Sequence, residues 1–252
     1  MPVPLPTAGT AVATAGFAVG AAATAVGAAG LCAYAALSAG SQLFGRTLIA
    51  NRDPNEIALT FDDGPNDPCT LRLLEILAEH GVRATFFMIG RFVRQRPEIV
   101  RAAQAAGHGI GNHTMTHPWL VLSSPAEVRR ELADCNAALE DVLGERVGYF
   151  RPPHGSRRPD VLRAARELGL TPVMWNAMGY DWKPGVRSEQ ILAQLDKAIV
   201  RNRRGGWGTN IVLHDGGQAG IGQDRSATVE AVKVFIPKLL EAGGRFVLFP
   251  SA

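Results

Sequence analysis

Two adjacent aspartates, Asp62 and Asp63, and two histidines four residues apart, His113 and His117, are the residues of this sequence best suited to chemistry. Two imidazoles and one carboxylate form a ligand set for a divalent cation and leave a fourth position open, as catalytic metal centres do. At a spacing of four on a helical turn, both imidazoles point the same way. One aspartate then coordinates, while its neighbour, turned differently at a strand end, takes a proton from the attacking water. Each piece has a plainer reading: an isolated His-x-x-x-His is more often core or cap, and Asp-Asp-Gly-Pro alone reads as a solvated turn. The apolar run Leu59-Thr60-Phe61 leading straight into the aspartates favours function.

Further residues supply acid–base partners. An imidazole held by a carboxylate has its tautomer fixed and its pKa raised, which suits His214 with Asp181 to protonate a leaving amine. Arg151 beside the carboxylates would keep a base ionised and oriented, and its plainer reading is a structural salt bridge. His80 and His108 fall outside the strand ends and read as a helix-terminal and a loop histidine.

Positioning these groups requires strands that end where they begin. Short apolar runs at 57–61, 84–89, 108–112, 147–150, 171–175, 210–213 and 245–249 read as strands. Helical patterns fill the intervals: Leu71, Leu74 and Leu77, a helix opening near Pro97, and one from Ser124-Pro125 with Val128, Leu132, Cys135, Leu139 and Val142. Further helices read over 159–168, over 188–200 with Ser188 as its cap, and over 228–241. Repeated β-then-α order implies parallel strands with helices outside, hence an α/β fold: a small (β/α) barrel, with an open doubly wound sheet as the other solution. In the barrel, Asp62, Asp63, His113, His117, Arg151, Asp181 and His214 all fall on the rim at the strands' C-terminal ends, where active sites form.

Residues 1–45 contain no Asp, Glu, Lys, Arg or His. Thr10 to Leu43 is an Ala/Gly/Val-rich run, long enough for a bilayer that needs about 20 apolar residues. It is expected to be a membrane anchor or signal segment, followed by a linker at 46–56 and a catalytic domain at 57–250. Membrane association and a membrane-anchored or exported location follow as expectations. The net charge of +3 is mild and its cations are scattered, which argues against nucleic acid as a partner. The three cysteines, Cys32, Cys69 and Cys135, match no zinc or disulfide spacing.

Five segments in order, Thr60-Phe61-Asp62-Asp63-Gly64-Pro65, His113-Thr114-Met115-Thr116-His117, Arg151-Pro152-Pro153-His154-Gly155, Asp181-Trp182 and Ile211-Val212-Leu213-His214, resemble the motifs of NodB-type polysaccharide deacetylases, carbohydrate esterase family 4. The resemblance implies a distorted (β/α)7 barrel. It implies Asp62 as base, Asp63, His113 and His117 as metal ligands, Arg151 as the residue orienting the base, His214 as acid and Asp181 as its partner. It further implies a backbone N–H near His154 for the oxyanion, and Trp182 and Leu213 lining an acetyl pocket. His154 departs from the family pattern, which carries Tyr or Phe there.

The implied reaction is metal-dependent removal of N-acetyl groups from an N-acetylglucosamine-containing polysaccharide, oligosaccharide or lipid-linked sugar. The alternatives are an O-acetyl esterase or deformylase of the same fold, or a non-catalytic sugar-binding protein. The ligand types accept Zn, Co, Mn or Ni, with zinc the first expectation.

Overall fold

The computed structural model describes residues 29–249. Its longest strand, β1 (Glu56–Gly64), is buried along all but its first residue, as a central parallel strand covered on both faces must be. The other strands are β2 (Thr85–Met88), β3 (Gly109–Asn112), β4 (Tyr149–Phe150), β5 (Thr171–Pro172), β6 (Ala177–Met178), β7 (Thr209–His214) and β8 (Arg245–Phe246). The helices are α1 (residues 29–37), α2 (Cys69–Glu79), α3 (Gly90–Gln95), α4 (Pro97–Ala105), α5 (Pro125–Leu143), α6 (Pro159–Glu167), α7 (Ser188–Arg204) and α8 (Ser226–Glu241).

All the strand pairs are parallel, in the order β5-β4-β3-β2-β1-β7-β6, with β8 on the opening residues of β1. This is an open (β/α) barrel: seven strands lie along that path, which ends at β5 and β6, and β8 is the eighth. Leu48 pairs with Val173 beside β5, so part of the segment read as a linker is seated on the sheet edge.

Register sets the site. Asp62 lies beside His214 of β7 and Phe87 of β2, and Asn112 lies beside Met88 and Phe150. His113 and Arg151, each one residue past its strand, therefore leave the sheet at the same level. Side chains alternate across each strand. Ile57, Leu59, Phe61, Ile211 and Leu213 join the main core beneath the helices, while Ala58 packs inside with Phe87, Val173 and Phe249. Thr60 and Asp62 share the inner face with Ala58.

The helices hold their loops through their ends. Ser124 accepts the Glu127 N–H while the Glu127 carboxylate takes the Ser124 N–H, a capping box that starts α5. Its stripe of Val128, Leu132, Cys135 and Leu139 is fully buried, and truncating Leu132 to Ala would cost about 2–5 kcal/mol. Ser188 is not a cap: it is the first residue of α7, and Gln190 reaches back to the N–H of Arg187 at 2.9 Å. Strand β6 and helix α3 were not expected from the sequence, because two and six residues carry too little periodicity.

Most of the segment expected to reach a membrane, residues 1–28, lies outside the described residues. Among the described residues no helix is long and apolar enough to cross a membrane. The remainder packs on the barrel: Arg157 donates its N–H to the Ala36 carbonyl and its guanidinium to those of Ser38 and Ser41.

Candidate active site

Strand β1 runs into Asp62 and Asp63, and the two carboxylates part because Asp63 takes a left-handed backbone, with φ of 75°. Asp63 Oδ1 lies 3.0 Å from His117 Nε2 and 3.4 Å from His113 Nε2. The histidines do not share a helical turn. The residues between them form a tight loop in which Thr114 and His117 have φ of 66° and 67°. Asn112 Oδ1 accepts the Thr114 N–H at 2.7 Å, and Thr114 Oγ1 accepts the His117 N–H at 3.0 Å. Glu131 of α5 takes both the N–H and the hydroxyl of Thr116. Side-chain hydrogen bonds to backbone thus replace helical geometry and still aim both imidazoles at Asp63.

The donor chemistry of this trio calls for a cation. His113 Nδ1 faces the Arg151 carbonyl at 2.8 Å, and His117 Nδ1 faces Gln218 Oε1 at 2.9 Å. Each Nδ1 carries the proton, so in the neutral rings each Nε2 presents a lone pair to the Asp63 carboxylate. Asp63 Oδ1 is buried without a hydrogen-bond donor. Three acceptor atoms from Asp63, His113 and His117, within 4.8 Å of one another, fit a divalent metal ion. Burial works to raise the Asp63 carboxyl; when the two imidazoles are protonated, their hydrogen bonds to it outweigh burial and hold it well below the usual range.

Two ion pairs flank the trio. Arg151, fully buried, donates from Nη1 to Asp62 Oδ1 at 2.7 Å and to Thr60 Oγ1 at 2.6 Å, with its guanidinium over the Phe87 ring. Burial lowers its pKa and the Asp62 charge works to restore it. On the other side, His214 Nδ1 meets Asp181 Oδ1 at 2.9 Å, and Asp181 Oδ2 accepts the His214 N–H and the Thr228 hydroxyl. Burial opposes charge on His214, but Asp181, then Asp63 and Asp62, raise the imidazole to about 9. Asp181 is buried too, yet the His214 charge and three hydrogen bonds hold its carboxyl below the usual range.

Asp62, Asp63, His113, His117 and His214 open onto one cavity of about 580 Å3. His154 lines it with φ of 57° and a ring stacked at 3.9 Å on Trp119. Burial and the neighbouring His117 and His113 lower its pKa to about 4, leaving it neutral. Trp182 meets His214 edge-on at the cavity mouth. Leu213 is not there: on β7 it points away from His214 into the helix-covered core, and Val212 lines the cavity instead. Sequence reading also missed Gln218, Asn112 and Glu131, which aim the two histidines, because no spacing rule connects them to the histidines.

Buried Asp215 was missed as well. Burial, with Asp63 and Asp62 near, raises its carboxyl to about 7 against the hydrogen bond from Thr70. His108 is buried away from the cavity, where its Nδ1 accepts the Ala84 N–H and burial lowers its pKa to about 4.

A family profile described as Polysaccharide deacetylase matches residues 50–173. A chitooligosaccharide deacetylase of Bradyrhizobium sp. is 37% identical over 195 residues, 74% of this chain and 85% of the relative. The crystal structure of a peptidoglycan N-acetylglucosamine deacetylase aligns with a TM-score of 0.72 at 31% identity, covering 81% of this chain and 91% of that one. A family 4 acetyl xylan esterase from Clostridium thermocellum, in complex with a cobalt ion, aligns at 0.66 and 33% identity, over 76% of this chain and 87% of the other. The chain belongs to the polysaccharide deacetylase family of hydrolases.

Proposed function

We propose that this chain removes N-acetyl groups from N-acetylglucosamine units of a glycan or lipid-linked sugar, yielding acetate and a free amine. One observation carries the reading: a buried carboxylate and a carboxylate-paired imidazole, Asp62 and His214, flank the three convergent acceptor atoms of Asp63, His113 and His117. A divalent ion held by those three residues would supply Lewis-acid polarisation of the attacking water and the acetyl carbonyl. Zinc is the proposed ion.

Asp62, held by Arg151, accepts the proton of the attacking water as its oxygen bonds to the acetyl carbon. The backbone N–H of His154 stabilises the developing oxyanion. His214, charged at neutral pH, delivers its Nε2 proton to the sugar nitrogen as the C–N bond breaks, and Asp181 steadies the imidazolium. Trp182 borders the acetyl methyl group. The raised His214 favours the amide over the ester reading, since a departing amine needs a proton more than a departing alcohol does.

We also propose that the uncharged N-terminal segment anchors the enzyme to, or exports it across, a bacterial membrane. The deciding assay is acetate release, with zinc, cobalt, manganese or nickel added, from chitotetraose and peptidoglycan fragments against acetylated xylan. Metal-dependent release from the amides is expected. Release from the ester alone would overturn the proposal.

A further inference from the structure

The turn that carries the His154 N–H is tied to the N-terminal segment by one buried side chain. Pro153–Gly155 form a single 3-10 turn, in which Gly155 donates to the Pro152 carbonyl and Ser156 to that of Pro153. Neither bond takes the His154 N–H. The backbone is left-handed at His154 and Gly155, with φ of 57° and 67°, so at His154 it must be held from outside. Trp119 supports the turn by stacking on the His154 ring, and Ser156 Oγ accepts the Leu120 N–H at 3.1 Å. A further support is Arg157.

Arg157 is 1% exposed, yet among the described residues no carboxylate pairs with it. Its charge is met by three carbonyl oxygens: Gly155 at 2.9 Å, Ser38 at 2.6 Å and Ser41 at 2.9 Å. Its own N–H donates to the Ala36 carbonyl at 3.0 Å. Three of these four bonds therefore cross to residues 36–41, and the fourth grips the turn itself. A buried guanidinium short of acceptors is costly. With residues 36–41 displaced, Arg157 would turn toward water and release the Gly155 carbonyl, next to the His154 N–H. None of residues 36–41 lines the catalytic cavity.

We infer that Arg157 is a positioning residue: it clamps residues 36–41 to the 153–155 turn and thereby sets the place of the His154 N–H as oxyanion donor. The stretch of chain ahead of the barrel is then part of the catalytic unit and not only a tether. This assignment rests on the deacetylase reading above and adds a dependence of its turnover on the N-terminal segment.

The test uses the full-length chain in detergent, with chitotetraose and peptidoglycan fragments as substrates. Arg157→Met removes the donors and keeps an apolar side chain of similar reach. Ala35→Asp strikes the same contact from the other side: Ala35 is the one buried residue of α1, and a carboxylate there should lift the segment away without altering the barrel. In both variants kcat should fall roughly 10–100-fold, less than outright loss of an oxyanion donor costs. KM should stay within about twofold and bound zinc near one equivalent, since a displaced donor acts on the transition state alone. The double variant should be no slower than the slower single one, because both break one contact. Amide hydrogen exchange of the peptide spanning 153–157 should quicken about tenfold in each, which reads the clamp without turnover. An unchanged kcat in Arg157→Met overturns the assignment, and so do losses that multiply in the double variant or that come with loss of zinc. If Arg157→Met does not fold, Ala35→Asp decides by kcat and exchange. If the wild-type chain releases acetate but Ala35→Asp changes neither, the clamp fails and the deacetylase reading stands. If exchange quickens but the wild-type chain, supplied with metal, releases no acetate from either substrate, the deacetylase reading fails while the clamp remains.

Discussion

Arg151 ties Asp62 to His113: its guanidinium donates to Asp62 at 2.7 Å while its own carbonyl accepts the Nδ1 proton of His113 at 2.8 Å. Side chain and backbone of one residue thus fix two groups that carry different roles in the proposed reaction. Arg151→Lys should separate them. The backbone bond survives, so bound metal, read by atomic emission, should stay near one equivalent. The planar fork is lost, and kcat should fall about 100-fold as Asp62 loses its orientation.

The ligand and base roles separate by a second pair of variants. His113→Ala should abolish both metal binding and acetate release. Asp62→Asn still accepts from Arg151 but cannot take a proton, so it should retain metal while turnover falls about 10²–10⁴-fold. Near-normal rates in Asp62→Asn would remove Asp62 from the base position.

In the proposed reaction, His214 sets the alkaline limit. As the acid it must be protonated, so kcat/KM should decline as pH rises through about 9. Asp181→Asn removes the charge that chiefly raises the imidazole, and the decline should move down toward the unperturbed 6.5. A pH–rate profile that kept its alkaline limb in place would assign that limb to another group.

Asp215 supplies a stability test. Its folded pKa, about 7, lies above its ordinary 3.8, so the native state holds its proton more tightly than the unfolded chain. Its contribution is complete below pH 4 and is lost as pH climbs to about 7. Asp215→Asn keeps a neutral group of the same shape facing Thr70. At pH 8 this variant should be more stable by about 1–3 kcal/mol, with Tm several degrees higher by calorimetry.

How far the sequence can be read depends on how strongly each element is patterned. β1 and α5 are legible because a continuous apolar run and a stripe at intervals of four and three leave little choice. β6 is not, because two residues have no period. The rim positions follow from strand ends, but the His113–His117 geometry does not follow from spacing. Its loop depends on Asn112 and on Glu131, which a whole helix must first bring near. Leu213 is instructive in the other direction. With His214 facing the cavity, the period of two along a strand requires its neighbour to face away, so its place in the core was legible from the sequence.

Among the described residues, the non-glycine residues with positive φ are Asp63, Thr114, His117, His154 and Tyr180, all at or beside the cavity. Each such backbone costs on the order of 1–3 kcal/mol, so no local preference of the chain would select it. The rim is shaped from outside, by a barrel that must already be complete. Folding is then expected to precede metal capture, the reverse of small zinc modules that collapse around their ion. Chelation should accordingly empty a site that keeps its form, ready to be refilled.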